Sequence, residues 1–80
     1  MTVNILAFGV AKDILGGAST GLQLDEELSI EAFKAKLEEQ FPGLKRLSSF
    51  MIAVNGEYAK PGTIVNANDE IAIIPPVSGG

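Results

Sequence analysis

Eighty residues, 46% of them apolar, with a net charge of −4 and neither cysteine nor histidine, describe one small domain. The apolar content excludes disorder, and the acidic balance with six mostly scattered basic residues excludes nucleic acid as a partner. Without His or Cys the chain lacks the usual general base, a thiol nucleophile and a disulfide framework, so an independent enzyme is the least expected class.

Met1 to Asn4 carry no basic leader, and no apolar run approaches the length of a membrane span. A cytoplasmic protein with no membrane partner is therefore expected. Val3 to Phe8 is almost uninterruptedly apolar and closes on Gly9, which predicts a buried strand. A short helical turn over Val10 to Leu15 follows, with Val10 and Ile14 on its apolar face and Gly16-Gly17 as its left-handed stop. Thr20, Leu22 and Leu24 alternate with Gly21 and Gln23 at the period of a half-buried strand.

The main helix is expected to start at Ser29. A serine hydroxyl caps the first N–H groups, and Asp25, Glu26, Glu27 and Glu31 place negative charge near the positive end of the helix dipole. Leu28 and Phe33 have the spacing of a hydrophobic staple. Ile30, Phe33, Leu37 and Phe41 share one face, Lys34 and Glu38 stand oppositely charged four apart, and Pro42-Gly43 is the expected stop. Beyond a loop through Ser48-Ser49, Phe50 to Val54 reads as a strand, and Asn55-Gly56 as a type I′ hairpin turn whose two residues both need positive φ. The return strand Glu57-Tyr58-Ala59 is cut short by Pro61-Gly62. After a turn at Asn66 to Asp69, Glu70 to Ile74 is the final strand, apolar enough to lie inside a sheet. This order gives an α+β domain, a mixed sheet covered on one face by one main helix, over residues 1–74.

Residues 75–80, Pro-Pro-Val-Ser-Gly-Gly, are expected to form a separate, flexible tail. Two terminal glycines alone read as a frayed end. Pro75 and Pro76 change that, because proline donates no ladder hydrogen bond and fixes φ, so the sheet must stop there and the exit stiffens. Glycine without a Cβ is what a narrow channel requires beside a reacting carbonyl. A terminal carboxylate is anionic at neutral pH and resists nucleophiles, but it can attack the α-phosphate of ATP and become an acyl-adenylate. The chain has no Gly-x-x-x-x-Gly-Lys-[Ser/Thr] loop to hold ATP, so activation falls to a separate protein. Gly16-Gly17 lacks the lysine of a phosphate loop and reads as a helix stop. Asp25-Glu26-Glu27 reads as a solvated turn before a weak cation site, and Tyr58 equally as a core residue or an exposed anchor.

The tail after Asp69-Glu70-Ile71-Ala72-Ile73-Ile74 resembles that of the MoaD-type sulfur carriers, the small subunits of molybdopterin synthase. So do the opening Ile5 to Gly16 and Val54-Asn55-Gly56. The resemblance implies a ubiquitin-like β-grasp fold and a carrier rather than an enzyme, with no cofactor of its own. It implies adenylation of Gly80 by a MoeB-type, E1-like enzyme using ATP and Mg²⁺, conversion to a thiocarboxylate, and sulfur transfer to a cyclic pyranopterin bound by a MoaE-type large subunit. Gly79 would be the slender neighbour of Gly80, and Pro75, Pro76, Val77 and Ser78 would thread into the partner. Phe8, Tyr58 and Ile74 match positions of the apolar docking surface. Asn68 stands where relatives carry Gly in a turn, which an αL conformation would allow. Related carriers of the ThiS type, carriers for cysteine synthesis and modifiers of protein lysines share the same terminal chemistry. A plain β-grasp interaction module would not use it.

Overall fold

The computed structural model describes residues 2–47 and 50–75. Ten short elements follow one another: β1 (Thr2–Ala7), α1 (Val10–Leu15), β2 (Ser19–Gln23), β3 (Leu28–Ser29), α2 (Ile30–Gln40), a 3₁₀ helix (Pro42–Arg46), β4 (Met51–Val54), β5 (Glu57–Tyr58), β6 (Ile64–Val65) and β7 (Glu70–Ile74). Five strands form one sheet in the order β2-β1-β7-β4-β5, and β3 pairs with β6 in a two-stranded ladder. The last strand thus lies at the centre, parallel to β1 and antiparallel to β4. This mixed sheet with one main helix is the ubiquitin-like β-grasp arrangement.

Alternation along the strands explains the layering. Val3, Ile5 and Ala7 of β1 and Ile71 and Ile73 of β7 are buried, and Ile52 of β4 pairs with Ile73 on the same face. Ile30, Phe33 and Leu37 of α2 join these residues in one core with Leu22, Leu24, Leu44 and Val65. The expected helix face is therefore the buried one, with Phe41 partly buried at its end. Ser29 caps α2 as its sequence position demands, its hydroxyl accepting the Ala32 N–H at 3.2 Å.

Three local details differ from the sequence-based expectation. In α1 the buried residues are Ala11 and Leu15, while Val10 is exposed and Ile14 only partly buried. Ala11 and Leu15, four apart, form the buried line of this six-residue helix. Gly16 does supply the left-handed stop, and the Gly17 N–H bonds to the Lys12 carbonyl at 2.9 Å. Pro42-Gly43 does mark the stop of α2, which ends at Gln40 with Phe41 as its C-cap, and the chain then tightens into the 3₁₀ turn with Pro42 at its start, where no N–H is needed. The β3–β6 ladder, two residues on each side, was not expected. Asn68 is not at positive φ, because Asn66 to Asp69 close with an Asp69 N–H to Asn66 carbonyl bond at 3.1 Å and the Asp69 carboxylate accepts the Asn66 N–H.

Asn55 is the non-glycine residue with positive φ (53°), followed by Gly56 at 85°, as the type I′ turn requires. Its side chain does more than tolerate the turn. Oδ1 accepts the Glu70 N–H and Nδ2 donates to the Asp69 carboxylate, both at 2.9 Å, so the hairpin tip is fastened to the start of β7. Asn55→Ala combines left-handed strain with the loss of both bonds and is expected to cost about 2–3 kcal/mol. Asn55→Gly, which relieves the strain, should cost about half of that. Urea denaturation of the two variants measures the difference.

Candidate functional site

Because β1 runs parallel to β7 and β4 runs opposite, the end of β1, the end of β7 and the start of β4 meet at one end of the sheet. Three residues of the sequence-based docking surface lie on these strands or beside them. Ile74 is the last residue of β7 and is partly buried. Phe8 directly follows β1 and is 51% exposed, and Tyr58 on β5 is 59% exposed. Tyr58 is therefore an exposed residue and not a core one.

The strand register shows what surrounds them. Leu6, Ala72, Ala53 and Tyr58 form one row across four strands, each paired with the next. Ile74 and Met51 form a second row beside it, one pleat nearer the tail. At the usual strand spacing the first row spans about 14–15 Å. These residues occupy the face opposite α2, since the core-facing Ile71, Ile73 and Ile52 alternate with them. Met51 is 51% exposed and adds a large apolar group beside Ile74. Leu6, Met51, Ala53 and Ala72 escaped the sequence-based list because apolar runs such as Val3 to Phe8 conceal which alternate residues face outward.

Polar residues bound this patch. On the β2 side the Thr2 hydroxyl donates to Gln23 and the Ser19 hydroxyl to Asn4, at 3.1 and 3.0 Å. Glu70, paired with Asn4, marks the far end. The apolar half of the open face is thus the half from which β7 leads into Pro75. There the chain approaches the start of α1 closely. Gly9 has φ 55°, and a Cβ built on it would stand 3.3 Å from Pro75 Cγ. The absent side chain gives Pro75 a seat against the loop that follows Phe8.

Pro76, Val77, Ser78, Gly79 and Gly80 lie outside the described residues. Asp25, Glu26 and Glu27 are exposed, and among the described residues no group of three or more His, Cys, Asp or Glu side chains is placed to hold a metal. Lys34 lies over the Phe50 ring, its Nζ 5.1 Å from the centroid, beside a shallow cleft lined by Ile30, Met51, Ile52 and Ala59. No helix among the described residues is long and apolar enough to cross a membrane.

Comparison with known proteins agrees along the whole chain. The molybdopterin synthase sulfur carrier subunit of Caenorhabditis elegans is 34% identical, with 100% of this chain and 99% of that protein aligned. The protein of the same name from Dictyostelium discoideum is 42% identical over 96% of this chain and 94% of its own length. Among solved structures, SAMP1 from Haloferax volcanii superposes with a TM-score of 0.81 at 25% identity, covering 100% of both chains. The sequence profile of the ThiS family matches residues 5–80, and the chain belongs to that family.

Proposed function

We propose that this chain is the sulfur carrier subunit of a molybdopterin synthase, with Gly80 as the residue that carries sulfur. The observation that bears most weight is the full-length likeness to relatives named as such subunits, at 34% and 42% identity. The reaction begins when a Gly80 carboxylate oxygen attacks the α-phosphorus of ATP. A P–O bond forms and pyrophosphate leaves, giving a glycyl-adenylate. A sulfur nucleophile then adds to the carbonyl carbon and AMP departs, leaving a thiocarboxylate. Mg²⁺ and ATP are held by a MoeB-type activating enzyme, and the acceptor pyranopterin by a MoaE-type large subunit. This chain, with neither His nor Cys, supplies a substrate terminus to both active sites. All of this takes place in the cytoplasm.

The fold supports the division of labour. Phe8, Tyr58 and Ile74, with Leu6, Met51 and Ala72 around the buried Ala53, offer an apolar face on which either partner docks. Pro75 leaves β7 at the border of that face, so a docked partner receives the following residues at a set distance from the contact. Pro75, Pro76, Val77, Ser78 and Gly79 thread into the partner. From Pro76 to Gly80 the reach at full extension is about 13–14 Å.

Incubation with the activating enzyme, ATP and a sulfur donor tests this. Intact-mass measurement is expected to show one oxygen of the chain replaced by sulfur, and peptide mapping to place it at Gly80. A terminus that stays a carboxylate, with an activating enzyme shown to modify another carrier, refutes the proposal.

A further inference from the structure

We infer that Met51 is an oxidation-sensitive modification site, at which a hydroperoxide turns off partner docking. The inference rests on the docking face proposed above. Three observations carry it. Met51 is 51% exposed, and β5, which pairs only with Ala53 and Val54, does not reach it. It is paired with Ile74, the last residue of the strand that leads into the tail, so it sits in the apolar half of the open face and not at its polar border. The sequence holds no cysteine, and among the described residues Met51 is the sole sulfur, so no thiol intercepts the oxidant first.

A carrier that visits two partners in turn must present this face to solvent between them. The thioether is then open to attack. A sulfur lone pair takes the terminal oxygen of the hydroperoxide, the S–O bond forms as the O–O bond breaks, and water or an alcohol leaves. Sulfur is oxidised by two electrons and the peroxide reduced by the same two. The product is a polar, chiral sulfoxide in place of a flexible apolar side chain. Docking would bury that S=O dipole beside Ile74 and Ala53, which offer no side-chain donor. An unpartnered buried polar group of this kind weakens association by about tenfold or more. The change is reversible, because methionine sulfoxide reductases restore the thioether.

The test uses the full chain in its carboxylate form, so that no thiocarboxylate competes for oxidant. The free chain and its complex with the large subunit are treated with graded hydrogen peroxide, and peptide mapping follows oxygen addition. Titration calorimetry then measures affinity for the large subunit before and after treatment. The expected result is one added oxygen on Met51 in the free chain, protection of Met51 in the complex, and binding about tenfold weaker or worse after oxidation, recovered on treatment with the reductase. Met51→Leu, compared only with itself, should show no peroxide-dependent loss. A sulfoxide form that binds within about twofold of the untreated chain overturns the inference and leaves the carrier reading intact. Equal loss in Met51→Leu assigns the effect elsewhere and also overturns it. An untreated chain that binds neither partner overturns the docking reading, and this inference with it.

Discussion

A chain shortened by Gly80 alone is expected to fold normally and to accept no sulfur. β7 ends at Ile74, so the deletion removes no ladder bond and no core contact made by the described residues. Changes of that kind move stability by no more than about 0.5 kcal/mol, or roughly 2–4 °C in melting temperature. The chemical consequence is much larger. The carboxylate then belongs to Gly79, about 3.3–3.6 Å short of its former reach. In-line attack on the α-phosphorus needs the reacting atoms about 3–3.5 Å apart, and an error of 1 Å already costs on the order of a hundredfold. The rate of thiocarboxylate formation should therefore fall by at least about a hundredfold, while affinity for the activating enzyme changes little. Mass spectrometry and a thermal melt on the same sample decide it. A large loss of thermal stability would show that Gly80 belongs to the folded body, and efficient sulfuration would move the chemistry to another residue.

Phe33→Ala is expected to have the largest effect on the fold. Phe33 is fully buried, in the middle of the α2 face that covers the sheet, among Ile30, Leu37, Ile71 and Ile73. Removing a buried phenyl ring costs about 3–5 kcal/mol, from lost transfer energy and the cavity left behind. A domain of this length has roughly 4–12 kcal/mol in total. At about 4–8 °C per kcal/mol, the melting temperature should fall by on the order of 15 °C or more. Phe33→Leu, which fills most of the space, should lose far less. A calorimetric shift of only a few degrees for the alanine variant would mean that α2 can collapse onto the sheet, contrary to the packing described above.

Local structure was legible wherever one residue type had a single physical use. Ser29 before an amphipathic run, Gly16 after a helical turn and Asn55-Gly56 between apolar runs each signalled the cap, stop or turn that the fold contains. Features that depend on distant partners were not legible. Leu28-Ser29 and Ile64-Val65 form a ladder too short to show any period, and it exists only because α2 brings the two segments together. The spacing of Val10 and Ile14 predicts an apolar face for α1, yet the face turned to the core is that of Ala11 and Leu15. The open apolar face was half legible. Phe8, Tyr58 and Ile74 came from likeness to a family, whereas Leu6, Met51, Ala53 and Ala72 emerged only from the strand register. The central place of Ile71 to Ile74 was the exception, since so apolar a strand suits the interior of a sheet, where β1 and β4 flank it on both edges.

That central place has a mechanical side. Tension applied along β7 from the Pro75 end is shared by two ladders at once, one to β1 and one to β4. Their hydrogen bonds run across the strand, so such a pull shears them together instead of opening them in sequence, as peeling an edge strand would. The tail is in effect a handle riveted to the middle of a plate. On the function proposed above, a pull on the chain beyond Pro75 is expected to leave the sheet intact. Release after each transfer would then proceed by lifting the plate from its seat, with the same body intact for the next cycle.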